Sequence, residues 1–155
     1  MTTESKATVS NDNEKPLSGP EMLERATEGF NLFQDGNFSE SLAVFEKLSV
    51  MDPGEAYFQT ALGACHLALE DLDAAVACFN RAIELDPADI TPFVNRGEAF
   101  LRQGRTTEAA RDFQHAVSLD PDDKDPLSRR ARMLAAAALE SSDEASESEA
   151  PEDPS

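Results

Sequence analysis

Reactive side chains are few in this 155-residue chain. Cys65, Cys78, His66 and His115 are the groups able to act as nucleophile, base or soft metal ligand. A thiol nucleophile needs a base beside it, and a metal site needs several ligands at fixed spacing. Neither pattern is present. There is no CxxC pair, and His66 and His115 stand on separate apolar-periodic segments. No Gly-rich phosphate loop occurs. The acids are plentiful but spread over surfaces and turns, where solvated charge is their ordinary role. No catalytic residue, metal site or cofactor is expected, and the chain is not read as an enzyme. The cysteines read as buried free thiols. What remains is the chemistry of apolar contact. Phe30, Phe33 and Tyr57, at helical spacing, are of the type that seats an extended segment of another chain.

The elements that must position these rings recur with a fixed period. Gly63, Ala75, Phe79, Ala82 and Pro87 return 34 positions later as Gly97, Ala109, Phe113, Ala116 and Pro121. A weaker copy lies 34 positions earlier as Gly29, Ser41, Phe45, Leu48 and Pro53. That period with helix–turn–helix patterning is the mark of a tetratricopeptide (TPR) array. The fold class expected is all-α: three TPR helix pairs in a right-handed superhelix, over 20–53, 54–87 and 88–121, plus a C-terminal capping helix over 126–139. Asp-Pro at 52–53, 86–87 and 120–121 stops the second helix of each pair, because the residue before proline avoids the helical region. An end helix with one polar face closes such an array, and Arg129, Arg130 and Arg132 supply that face.

The domain spans 20–140 on this reading. Residues 1–19 are too polar to offset the entropy of ordering and are expected to be disordered. Residues 141–155 read as a disordered, solvated acidic tail: between Glu140 and Ser155 there are seven acids and no base. The formal net charge is −18. It repels phosphate backbones, so no nucleic-acid partner is expected, and no apolar run is long enough for membrane insertion. The N-terminus has no apolar h-region, so it is not read as a secretory signal.

In a TPR array the first helix of each pair lines the concave side. In this phasing the first helix offers Leu23, Ala26, Thr27, Phe30, Phe33 and Gln34. The second offers Tyr57, Thr60, Ala61, Ala64, Leu67 and Ala68, and the third Thr91, Val94, Asn95, Glu98, Leu101 and Arg102. From these, Leu23, Phe30, Phe33, Tyr57, Ala64, Leu67, Val94, Glu98 and Leu101 form the candidate peptide-binding groove. Arg25 and Glu28 sit where inward-facing residues usually stand, which turns the apolar stripe of the first helix partly toward the groove. TPR domains that clamp a C-terminal carboxylate use Lys, Asn and Arg at places that here hold Ala26, Phe30, Ala61, Thr91 and Asn95, so a carboxylate clamp is not expected. An apolar groove suits an extended peptide instead. The alternative is ordinary core, with residues 9–22 covering Phe30 and Phe33. Exposure of the rings separates the two readings.

The sequence also resembles a narrower group. Leu62-Gly63-Ala64-Cys65 followed by Asp73 and Ala75 is similar to the middle repeat of the class II, or translocator, chaperones of bacterial type III secretion. Phe30–Pro53 is similar to their first repeat. Pro92-Phe93, Glu98, Leu101, Gln103-Gly104 and Glu108-Ala109 are similar to the third, and Leu127-Ser128 with Met133-Leu134 to the final helix. The resemblance covers about residues 22–139. It implies a cytoplasmic chaperone that holds an apolar, proline-containing extended segment of a translocator before export. Phe30, Phe33, Tyr57, Ala64, Leu67, Val94 and Leu101 stand at its groove positions. The partner implied is a hydrophobic translocator or other client peptide. A possible homodimer is implied as well, although residues 1–19 are polar where that family carries a dimerisation helix. The other functional reading is a general TPR scaffold that joins folded proteins.

Overall fold

A computed structural model describes the backbone of residues 15–148 and the side chains of residues 15–142. The expectations for residues 1–14 and 149–155 lie outside the described residues. Seven helices follow in order among those described: α1 (Gly19–Gln34), α2 (Phe38–Met51), α3 (Ala56–Ala68), α4 (Leu72–Leu85), α5 (Ile90–Arg102), α6 (Thr106–Ser118) and α7 (Pro126–Ser148). Each packs on the next, α3 also touches α5, and α7 lies against both α6 and α5. This is the stacked arrangement of a TPR array with a capping helix.

The start of α1 rests on a reciprocal cap. The Glu21 N–H donates to Ser18 Oγ at 3.3 Å, and the Ser18 N–H donates to Glu21 Oε2 at 2.8 Å. Ser-x-x-Glu is a legible start signal, and it places the helix start just before Pro20. The first helices of the second and third pairs use one side-chain acceptor each, while α2, α4 and α6 start without one. Glu55 accepts from the Tyr57 N–H at 3.2 Å, and Asp89 from the Thr91 N–H at 3.0 Å.

Three phenylalanines, Phe45, Phe79 and Phe113, are 2%, 0% and 0% exposed and lie between the helices of successive pairs. They fit because glycine faces them. A Cβ placed on Gly63 would lie 2.4 Å from the Phe79 ring, and one on Gly97 would lie 2.5 Å from Phe113. Ser41 stands where the later repeats have Ala75 and Ala109. Its buried hydroxyl donates to the Gly29 carbonyl at 2.7 Å, so the polar atom is satisfied.

Two departures from the sequence reading are structural. Helix α7 was expected to end at Leu139, with a tail from 141; it runs on to Ser148. Burial stops at Ala138, and Leu139 to Ser142 are exposed. The helix continues because Ala and Glu favour it and no Gly or Pro intervenes before Pro151. At the other end, residues 15–18 are not free of the domain. Leu17 packs on the cluster that contains Ala26, Phe45, Leu48 and Phe58.

The junction into α7 is organised by Asp120. Its carboxylate accepts from the Lys124 N–H at 3.1 Å, the Asp125 N–H at 2.9 Å and the fully buried Ser128 hydroxyl at 2.6 Å. The Ser128 bond, then the Asp125 amide, holds this carboxyl below the usual carboxylate range. Among the described residues no helix is long and apolar enough to cross a membrane.

Candidate functional site: an aromatic pocket on the concave face

Helices α1, α3 and α5 bring one set of side chains to a common cavity of about 210 Å³. Phe30, Phe33 and Gln34 come from α1, Tyr57, Thr60, Ala61 and Ala64 from α3, and Thr91 and Asn95 from α5; α2 adds the edge of Phe45. Among the described residues no charged side chain lines it. Phe30 is 49% exposed and Tyr57 45% exposed, so both rings face solvent. Phe33 is half-buried, edge-on to Phe38 with ring centres 5.0 Å apart, and packs on the first core cluster. Tyr57 stands edge-on to Phe45 at 5.9 Å. The covering alternative therefore divides: Phe30 is open, and Phe33 is partly core. Of the proposed cover, residues 15–22 are described: Lys15, Pro16 and Leu17 line clefts beside Ala43, Val44 and Lys47 of α2, residues 19–22 are the start of α1 itself, and none of them lines this cavity.

Polar groups punctuate the wall. The Tyr57 phenol stays protonated, because burial pushes its pKa up and the Cys65 thiol nearby adds to the effect. Thr60 spends its hydroxyl on the Ala56 carbonyl at 3.2 Å. The side chains of Asn95 and Gln34 make no hydrogen bond to the described residues, so their amides face the cavity as donors and acceptors. An extended segment laid here would meet rings for its side chains and amides for its backbone.

The rest of the predicted groove is not open. Val94 is 1% exposed, buried with Phe93, Phe113, Ala131 and Ala135, because α7 caps the end of α5. Leu67 is 7% exposed and packs with Ala75, Phe79 and Ala99. Leu101 is half-buried against the α7 cluster. Glu98 is held by Arg130 at 2.5 Å. Arg102 donates to the Leu67 carbonyl at 3.2 Å and pairs with Glu70 at 2.9 Å, closing the α3–α5 end with ionic groups. Leu23 is 70% exposed on α1 but does not line the cavity. Of the predicted set, Phe30, Phe33, Tyr57 and Ala64 are brought together; Leu67 and Val94 are core, and Leu101 is half-buried against it. Repeat phasing assigned those three to the groove because it carried no information on how tightly α7 and the third pair close. Phe45 stands at the repeat position of Phe79 and Phe113, and nothing in the sequence marks its edge as part of the wall.

Both thiols are free, with Cys65 fully buried and Cys78 half-buried. Burial pushes the Cys78 thiol up to about 11, and burial raises Cys65 against the opposing bond to Ser41. Neither is an activated nucleophile. Among the described residues no group of three His, Cys, Asp or Glu side chains is placed to hold a metal ion.

Two family models described as tetratricopeptide repeat match residues 62–138 and 27–90. This chain belongs to the tetratricopeptide-repeat family. Within it, the backbone superposes on the type III secretion translocator chaperone SycD of Yersinia enterocolitica with a TM-score of 0.78, at 23% identity, covering 82% of this chain and 89% of that one. PcrH of Pseudomonas aeruginosa, in complex with the chaperone binding region of PopD, gives 0.78 at 22% identity, covering 83% and 98%. Low calcium response locus protein H of Yersinia pestis is 29% identical over 80 residues, 52% of this chain and 48% of its own length. The chain spans 13% of an inactive TPR repeat-containing thioredoxin and 7% of a CTR9 homologue, both of Arabidopsis thaliana, that it also matches. The TPR fold and its likeness to the translocator chaperones thus agree with the sequence reading.

Proposed function

We propose that this protein is a secretion chaperone of the translocator-binding kind. It holds an apolar extended segment of its client in the concave pocket, in the cytoplasm, before export. The observation that carries the reading is the uncharged, ring-lined cavity between α1 and α3, with Phe30 and Tyr57 half-exposed and without any chain segment of the described residues over them. A fold of this shape is found in PcrH with the chaperone binding region of PopD. Exposed rings of this kind contribute affinity by burying area on binding, roughly 1.5–3 kcal/mol for each side chain that becomes fully covered. The neutral wall fits an apolar client, and the net charge of −18 keeps a complex with such a client in solution. The role is stoichiometric: the pocket withholds an aggregation-prone segment and performs no chemistry on it.

The direct test is co-expression with an apolar translocator client. Phe30→Ala combined with Tyr57→Ala is expected to weaken capture at least tenfold, about 1.4 kcal/mol, while the folded state persists. Retention of full capture by that variant contradicts the proposal. It then favours the scaffold reading, in which partners use the outer surfaces.

A further inference from the structure

Helix α5 turns a second face to another cleft. Thr91 and Asn95 line the concave pocket, while Phe93, Arg96 and Phe100 line an outer cavity of about 470 Å³ with Glu108, Arg111, Asp112 and His115 of α6. Its floor is aromatic, with Phe93 and Phe100 each 7% exposed. Arg96 grips Asp112 through two bonds of 2.8 and 2.7 Å and Asn80 at 2.8 Å, with its guanidinium 5.7 Å from both ring centres. Arg105 lies 4.4 Å over Phe100 and pairs with Glu108. These four charges offset one another. Arg111 remains, with no ion pair or hydrogen bond to the described residues, and beside it the exposed His115 ring, 4.3 Å from Phe93. With Arg105 over Phe100, three arginines thus stand against the two carboxylates Glu108 and Asp112 around an aromatic floor, in a chain whose net charge is −18.

The repeat supplies the precedent for what such a cleft holds. Shifted by two periods, Phe93, Arg111, Asp112 and His115 correspond to Arg25, Ala43, Val44 and Lys47. Those four line a cavity of about 310 Å³ in the first pair, and there Lys15 and Leu17 of the chain's own non-helical lead-in form part of the wall. Leu17 packs onto the adjacent core. The first-pair cleft thus seats a short irregular segment through one leucine. Among the described residues the third-pair cleft is lined by α5 and α6 alone.

We propose that the outer cleft of the third helix pair docks an acidic, extended segment of a partner protein, seated as residues 15–17 are seated in the first pair. Its carboxylates meet Arg111 and His115, and one apolar side chain lies on Phe93 and Phe100. Arg–carboxylate recognition beside an aromatic surface is favourable at a rim where neither group is deeply buried. This site shares no side chain with the concave pocket, so the two proposals stand or fall separately.

The test uses the full chain and a labelled synthetic peptide of Glu and Asp with one central Leu, against the same peptide built from Gln and Asn. The acidic peptide is expected to bind at least tenfold more tightly than its amide counterpart. Arg111→Glu, at an exposed and unpaired position, is expected to weaken it at least tenfold without moving the thermal midpoint. Phe30→Ala with Tyr57→Ala is expected to leave it unchanged. Equal binding of the two peptides, binding that survives Arg111→Glu, or loss in the Phe30/Tyr57 variant overturns the proposal. A full chain with Glu149, Glu152 and Asp153 changed to Gln, Gln and Asn decides between partner and self. Unchanged affinity supports a partner segment, and a tenfold gain shows that the chain's own acidic end fills the cleft, which overturns the partner assignment.

Discussion

Phe30 and Phe33 sit three residues apart on α1 and do different work. Phe30 is half-exposed at the pocket rim, whereas Phe33 is locked edge-on to Phe38 across the turn into α2. Phe33→Ala removes a packed ring and an aromatic pair, and is expected to lower unfolding free energy by about 2 kcal/mol. Phe30→Ala is expected to change it by less than about 0.5 kcal/mol. Urea denaturation of the two single variants reads this difference, and equal losses would mean that Phe30 is core. Cys78 allows a second test at this scale. With its thiol pushed up to about 11 by burial, its thiolate population at pH 8 is small, and alkylation should run on the order of a hundredfold slower than for an open cysteine. The rate should climb as pH rises toward that value. Rapid labelling at pH 8 would show that α4 opens. Spacing made Phe30, Phe33 and Tyr57 legible as a group. It did not tell rim from core, because that depends on the neighbouring turn and on α2, not on α1's own periodicity.

At the scale of elements, the turns inside the helix pairs repeat a backbone as well as a sequence position. Gly36 and Gly104 hold φ of +83° and +78°, and Glu70, at the same place in the middle pair, holds +62°. A residue with a Cβ is strained there by roughly 1 kcal/mol. Its ion pair with Arg102 is largely exposed and offsets little of that. Glu70→Gly is therefore expected to raise the thermal midpoint by a few degrees; a fall would mean that the bridge to Arg102 outweighs the strain. The helix pairs were readable because Gly, Ala, Phe and Pro mark each one at a constant offset. The end of α7 was not, because past Ala138 the helix is carried by intrinsic propensity without an apolar face, and apolar periodicity is silent about such a stretch.

Across the whole molecule, the array has an apolar, open first half and a closed, ionic second half on its concave side. The capping helix produces this asymmetry: it buries Val94, half-covers Leu101 and brings Arg130 to Glu98. A client segment is therefore expected to engage α1 and α3 first and to touch α5 only at Thr91 and Asn95. The period alone conveyed the number of pairs and their order, since each repeat contacts mainly its neighbours. It did not convey which part of the groove stays open, because that is set by the terminal helix, which has no counterpart earlier in the chain.

The central claim is that an apolar segment is held on the concave side. Amide hydrogen exchange of this chain, alone and in complex with a co-expressed translocator client, tests it most directly. The account predicts slowed exchange concentrated in α1 and α3, with a smaller effect at the start of α5. Protection confined to α2, α4 and α6 would contradict it and move the binding surface to the outside of the array.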